Sequence, residues 1–319
     1  GYSNPFSETS AEIAIGENPQ FNIRNHYFFN NKRNWYLEST VKAEYTDISV
    51  YNENLKKSGL YNQKHFSFEV KANKLITGNF TAGIGSRYEY LKYSPEIETF
   101  PRVYGKINFL TGFVDLHFNN LNSPSYPNSG NIIDFEAGVN YNQHPDFKYD
   151  DGNSATPQSS PLFSKKAYYS IKYYSAHYLP IHKHSLFFKL HSGVHFGNKQ
   201  PFLNDFIVGG NDLVIRNQIL FPGFRTNSIF SSSVIAPQVG LHYSVTKKLV
   251  VTATSSFLKY DFIKSNIIID ENHGNSSVWG VALAAGYRSF IGPLEAIFMY
   301  NDINNNISPS FNIGYSLNF

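Results

Sequence analysis

The chain has 319 residues, 27 Lys and Arg against 24 Asp and Glu, a formal charge of +3 and no cysteine. The missing cysteines exclude a disulfide framework, a zinc–thiolate site and a cysteine nucleophile, and a charge this small with no basic run gives no ground for a nucleic-acid partner. Aromatics reach 17%, with 23 Tyr and 28 Phe, yet mean hydropathy is −0.33; alternation of aromatic and polar residues gives both values, as in a transmembrane β-barrel with lipid on one face and water on the other.

Taken in chain order, a period of two recurs from end to end. In 35–45, Trp35, Leu37, Val41, Ala43 and Tyr45 share one face, and Tyr36, Glu38, Thr40, Lys42 and Glu44 the other. In 66–72, Phe66, Phe68 and Val70 alternate with Ser67, Glu69 and Lys71. In 101–119 the apolar phase changes between Ile107, Phe109 and Val114, Leu116, Phe118, and a β-bulge between them is expected. In 186–196, Leu186, Phe188, Leu190, Val194 and Phe196 oppose Lys189, His191, Gly193 and His195. In 278–288, Trp279, Val281, Leu283, Ala285 and Tyr287 oppose the small face Gly280, Ala282, Ala284 and Gly286. The chain ends on Phe311, Ile313, Tyr315, Leu317 and Phe319 against Asn312, Gly314, Ser316 and Asn318.

The pattern predicts about fourteen strands: 8–16, 20–30, 33–46, 62–72, 78–93, 101–119, 131–142, 165–178, 183–197, 228–244, 248–263, 276–289, 291–301 and 308–319. Many suit the roughly 9–11 residues that cross a membrane at a tilt. Tight turns such as Thr246-Lys247 and Gly292-Pro293 alternate with long polar connections at 142–164 and 263–277, as short periplasmic turns alternate with long external loops. Neither a linker nor a second domain is visible. No apolar run is long enough for a transmembrane helix. The chain starts at Gly1 with no signal-peptide pattern, so a processed or truncated chain is expected. A soluble sandwich would need a Val, Ile and Leu core; the apolar faces here are aromatic. Trp35, Tyr36, Tyr45, Tyr168, Tyr169, Tyr173 and Tyr174 are expected in interfacial girdles.

Few residues invite chemistry. His191 and His195 lie about 13 Å apart on a strand, too far to share an ion, and His182 and His184 lack a third ligand, so lumen or turn histidines are expected and no metal. Asp150-Asp151-Gly152-Asn153 lacks calcium-loop spacing. There is no Gly-x-Ser-x-Gly elbow and no phosphate-cradling glycine loop. No catalysis and no cofactor are expected of this chain.

The stretch 206–224, FIVGGNDLVIRNQILFPGF, fits neither helix nor strand, since Gly209, Gly210, Pro222 and Gly223 break both. It resembles the long internal loop of the BamA-like outer-membrane superfamily, with Phe206, Arg216 and Phe224 in its motif. Around 115–130, Pro127 and Gly130 resemble that family's periplasmic Pro-x-x-Gly turn. IGPL at 291–294 resembles the lead-in to its penultimate strand, and Asn312, Gly314, Leu317 and Phe319 its C-terminal sorting signal. Within the superfamily, HFGNKQPFLNDFIVGGNDLV and FPGF look like the barrels attached to patatin-like phospholipases of Bacteroidetes.

The resemblance implies an all-β, antiparallel transmembrane barrel of the 16-stranded type, in the outer membrane of a Gram-negative bacterium, with a lumen loop at 198–227. It implies that residues 1–319 form one barrel domain lacking two N-terminal strands and the upstream periplasmic domains. The family core is Val-Arg-Gly-Phe/Tyr, its arginine packing in the lumen against acids. Here Ile215 occupies the arginine position, Arg216 falls one residue late and Asn217 replaces the glycine. Arg216 either does the same work after a shift or is an ordinary loop residue of a decayed motif, and the second reading is preferred. The expected role is then a non-catalytic, plugged anchor for a patatin-like lipase protein, with an insertase or translocase, or a plain diffusion porin, as alternatives. Expected partners are outer-membrane lipid, lipopolysaccharide and the assembly machinery during biogenesis; a homodimer stays open.

Overall fold

The computed structural model describes residues 6–15, 18–51, 57–97, 102–124, 126–150, 164–198, 200, 204–210, 215–224, 229–263, 277–289, 292–303 and 305–313. Its barrel strands are β1 (Ser7–Ala14), β2 (Gln20–Phe28), β3 (Trp35–Tyr51), β4 (Lys57–Thr77), β5 (Phe80–Ile97), β6 (Arg102–Asn119), β7 (Gly130–Asp150), β8 (Tyr168–Ile181) and β9 (His184–Gly197). Three short strands follow: β10 (Phe206–Val208), β11 (Gln218–Ile219) and β12 (Ile229–Ser231). The wall resumes with β13 (Ser233–Ser244), β14 (Leu249–Tyr260), β15 (Ser277–Ser289), β16 (Gly292–Asn301) and β17 (Ser308–Ile313).

Fourteen of these form one antiparallel sheet in chain order, β9 pairing with β13, while β10–β12 form a separate small sheet. Among the described residues β1 pairs with β2 and β17 with β16, and the two edges do not pair with each other. The sheet curls so far that Tyr126, in the β6–β7 turn, hydrogen-bonds Glu295 of β16 at 2.5 Å. Its outer face carries Phe68, Ile84, Val114, Trp279, Leu283 and Phe298, each 45% or more exposed; these side chains contact lipid in a membrane. The inner face carries Glu44, His65, Glu89, Asn140 and His195, all buried.

The strands run longer at one end than the alternation predicts, and residues 142–150, read as loop, belong to β7. The cause is a change of chemistry along the inner face. Toward that end Ile48, Tyr61, Leu91, Tyr93, Ile107, Phe109 and Phe147 point inward and form one apolar cluster. The outer face at that end is polar, with Lys64, Lys92, Lys106 and Lys148 exposed, so the inside–outside contrast that marks a strand inverts.

The phase change in β6 has the same origin and is not a bulge in that strand. β5 and β6 pair without a break from Phe80↔Phe118 to Tyr93↔Gly105. Ile107 and Phe109 are buried on the inner face, whereas Val114 and Leu116 are exposed on the outer one. The irregularity lies in the β6–β7 register between Asn108 and Leu110, where the extra residue is on β7 and Asn142 takes a φ of 54°. The predicted strand 228–244 is also two, β12 and β13, broken at Ser232.

The two-residue connections 78–79 and 182–183 lie at the end opposite the long 198–228 connection. Short turns mark the periplasmic side of such barrels, so the apolar inner cluster sits at the extracellular end.

Candidate functional site

The functional candidate is the segment between β9 and β13, whose described residues 204–210 and 215–224 lie inside the barrel. Residues 204–210 are all buried, as are 221–224. β10 pairs in parallel with β11 and antiparallel with β12, which satisfies backbone groups that would otherwise be orphaned in the lumen. The glycines have a purpose here. Gly209 and Gly210 adopt φ of 133° and 82°, a region closed to most side chains. Their amides donate to Ile219 O at 3.0 Å and Phe224 O at 3.1 Å, folding 206–210 back on 219–224. Pro222 and Gly223 make the tight turn that returns Phe224 N to Phe221 O. Residues 211–214 lie outside the described residues.

The segment meets the wall on two sides. Ile207, Ile215 and Phe230 join the apolar cluster of β3–β7. Phe206, Val208, Ile219, Phe221, Phe224 and Ile229 pack with Val234 and Ala236 of β13, Leu258 and Tyr260 of β14, and Val278 of β15. Close contact requires small residues on the wall. A Cβ on Gly193 would stand 2.5 Å from Phe206 Cζ, and one on Gly280 2.8 Å from Phe221 Cζ.

Polar wall residues fix the backbone of the segment. The Leu220 amide donates to His191 Nδ1 at 3.0 Å, and Gln238 donates to Leu220 O at 2.9 Å. His195 donates through Nε2 to Asn204 O at 2.9 Å and stacks on Phe206 at 4.3 Å. Asn301 donates to Gly223 O at 2.7 Å. His191 and His195 are thus lumen histidines that hold the loop. His182 is instead a turn residue with φ of 55°, and His184 stacks on Tyr243.

Below the apolar cluster runs a belt of charge. Arg216 Nε donates to Glu89 Oε1 at 2.5 Å, and Arg216 lies over the Phe109 ring at 5.4 Å. Glu89 also meets His65 Nε2 at 3.1 Å, and His65 Nδ1 meets Glu44 at 2.7 Å. Arg87 pairs with Glu69 at 2.6 Å and Glu136 at 2.7 Å, and Lys172 pairs with Glu136 at 3.1 Å. Arg87, Glu89, Glu136, Lys172, His195 and Arg216 line a polar chamber beneath the loop. Arg216 thus meets an acid inside the barrel from one residue beyond the family's arginine spacing. Ile215, at the family's arginine spacing, points into apolar surroundings.

The β6–β7 turn makes a second crossing, at the periplasmic mouth. Gly130 has φ of 104°, and a Cβ there would stand 2.9 Å from Asn120 C. Ser185 donates to Pro127 O, and Arg288 donates to Tyr126 O and covers its ring. Gly286 leaves room for that ring, since a Cβ would be 2.5 Å from Tyr126 Cζ. Of the terminal signal, Asn312 of β17 pairs with Glu295 of β16; Gly314, Leu317 and Phe319 lie outside the described residues, as do Asp151, Gly152 and Asn153.

Three girdle expectations need correction. Tyr168 is buried under the loop against His195, and Tyr174 packs on His191 in the lumen. Tyr36 likewise stands on the inner face beside Phe28 and His26. Adjacent tyrosines on a strand point to opposite faces, so only one of each pair 168/169 and 173/174 can face lipid. Sequence reasoning passed over Glu89, Gly193, Gln238, Asn301 and Tyr126. The small face Gly280–Gly286 was the available signal, because it provides the room that Phe221 and Tyr126 fill.

Among solved structures, BamA from Haemophilus ducreyi lacking POTRA domains 1–3 is similar, with a TM-score of 0.62 and 12% identity over 96% of this chain and 69% of that one. CdiB from Acinetobacter baumannii is similar at 0.52 and 10%, over 96% and 58%, and CdiB from Escherichia coli at 0.52 and 9%, over 89% and 49%. The chain therefore spans between about half and about two thirds of these structures, and the likeness is one of fold. A search of curated proteins finds no match. The model of the OMP85 superfamily matches residues 7–317: the chain belongs to the OMP85 superfamily and is an outer-membrane β-barrel of a Gram-negative bacterium.

Proposed function

We propose that this barrel is a non-catalytic membrane anchor whose lumen is plugged by residues 198–227, and that it carries a patatin-like lipase protein. The observation behind the plug is the packing of one loop against both β3–β7 and β13–β15. Ordering so long a loop costs much conformational entropy, and contacts on two walls offset it. The patatin association rests on the likeness of the 195–214 stretch and of FPGF at 221–224. Deleting 206–224 should raise single-channel conductance in planar bilayers; unchanged conductance would sink the plug. Solute leakage through the intact protein would favour a plain porin instead.

A second reading, an insertase or translocase, draws support from one observation, the buried Arg216–Glu89 pair. It makes Arg216 the residue that seats the loop for transport. Under the anchor reading, Arg216→Ala leaves secretion and assembly of other outer-membrane proteins in cells unchanged; loss of either would transfer the conclusion to transport.

A further inference from the structure

We propose that the outer wall over β4–β6 binds the phosphorylated headgroup of an outer-leaflet lipid through Lys64, Lys92 and Lys106. The register places Lys64 opposite Lys92 and Lys92 opposite Lys106. All three are exposed and alternate with the inward-facing His65, Leu91 and Ile107, so they form one horizontal row on the outside. Directly opposed like charges destabilise an antiparallel pair, and here two such pairs share one lysine. Among the described residues neither Lys64 nor Lys92 has an ion-pair partner, and Lys106 has a loose one in Asp146 at 3.7 Å. An anion seated on the row relieves that repulsion.

The height of the row identifies the anion. One step toward the periplasm, Phe66 faces Tyr90 across the strands, and next Phe68 faces Tyr88; Phe66, Phe68 and Tyr88 are exposed to the outside. An aromatic row marks the membrane interface, so the lysines stand at headgroup level, on the extracellular side by the turn lengths above. Lysine ammonium groups on long stems suit that level. One step further out, Asn62 meets the carboxylates of Asp47 and Glu96, which limits the basic surface to a narrow band. Lys148, exposed beside Tyr104, extends that band onto β7.

The inference rests on the membrane-barrel fold and not on the plug, so a failed loop-deletion experiment leaves it standing. Its test is native mass spectrometry of the folded chain in neutral detergent, titrated with bis-phosphorylated lipid A. Expected are lipid A adducts that vanish when the lipid is dephosphorylated. Affinity should fall roughly 10- to 100-fold in K64Q/K92Q/K106Q, since each surface lysine contributes to attraction for anionic lipid. K64R/K92R/K106R should bind as the unaltered chain does, and heat-modifiable mobility on gels reports that each variant is folded. Equal binding of dephosphorylated lipid A, or unchanged binding by the folded glutamine variant, overturns the proposal. Displacement of lipid A by millimolar inorganic phosphate also overturns it, because the row would then hold free phosphate.

Discussion

Replacing Glu89 by Ala is expected to release the lumen loop while leaving the barrel wall folded. Glu89 and Arg216 have side chains only 4% and 11% exposed. Removing one partner of a buried pair leaves the other charge without compensation, a loss of about 3–5 kcal/mol. Arg216 gains little from its other neighbours, because the Phe109 ring offers only a cation–π contact and the nearby acid Glu136 is already held by Arg87 and Lys172. The wall, by contrast, keeps every strand-to-strand hydrogen bond. The cost therefore appears as local opening rather than global unfolding. Limited proteolysis should cut Glu89→Ala within 198–228, where the unaltered chain resists, while the heat-modifiable band of the folded barrel persists. The double change Glu89→Leu with Arg216→Met removes both charges together and should restore much of the protection. Equal cleavage of the single variant and the unaltered chain would show that the pair does not hold the loop.

The same experiment bears on the choice between anchor and transporter. An arginine that only fixes a plug can be replaced, with its partner, by apolar residues of similar size without loss of function. An arginine that must let go and rebind during a transport cycle cannot. Rescue of loop protection by the double variant, with unchanged outer-membrane protein levels in cells, would separate the two.

How much of this was legible beforehand depends on whether a property is local. The fourteen wall strands follow from alternation alone, as in β15, where Trp279, Val281 and Leu283 face out and Gly280 and Ala282 face in. The lumen segment was legible because Gly209, Gly210 and Pro222 forbid regular structure in an apolar run. The extracellular halves of β3, β4 and β7 were not, because Ile48, Tyr61 and Phe147 turn inward to meet a loop far away in the chain. The Arg216–Glu89 pair spans 127 positions and the Tyr126–Glu295 bond spans 169; no periodicity carries such separations. Ile215 stands at the family's arginine spacing and Arg216 follows it. The turn at Asn217, with φ of 56°, belongs to a loop path that presents residue 216 to Glu89 instead.

Gly193→Val should expel Phe206 and with it the first strand of the small sheet. Gly193 stands between His191 and His195 on the inner face of β9, and the Phe206 ring occupies the space its missing side chain leaves. The ring cannot retreat without breaking something, since it is fully buried among Val208, Ile219, Val234 and their neighbours. Overpacking of this kind costs about 1–3 kcal/mol, and displacement of Phe206 also pulls Asn204 O away from His195. Phe206→Ala alone leaves a void instead, at about 3–5 kcal/mol. The two changes are complementary in volume, so the combined variant should lose less than the sum of the singles, as residues in contact do. Conductance reads this directly: frequent open-channel events are expected for each single variant and fewer for the pair. Strictly additive behaviour would mean that Phe206 does not rest on Gly193, and the seating of the loop on β9 would have to be given up.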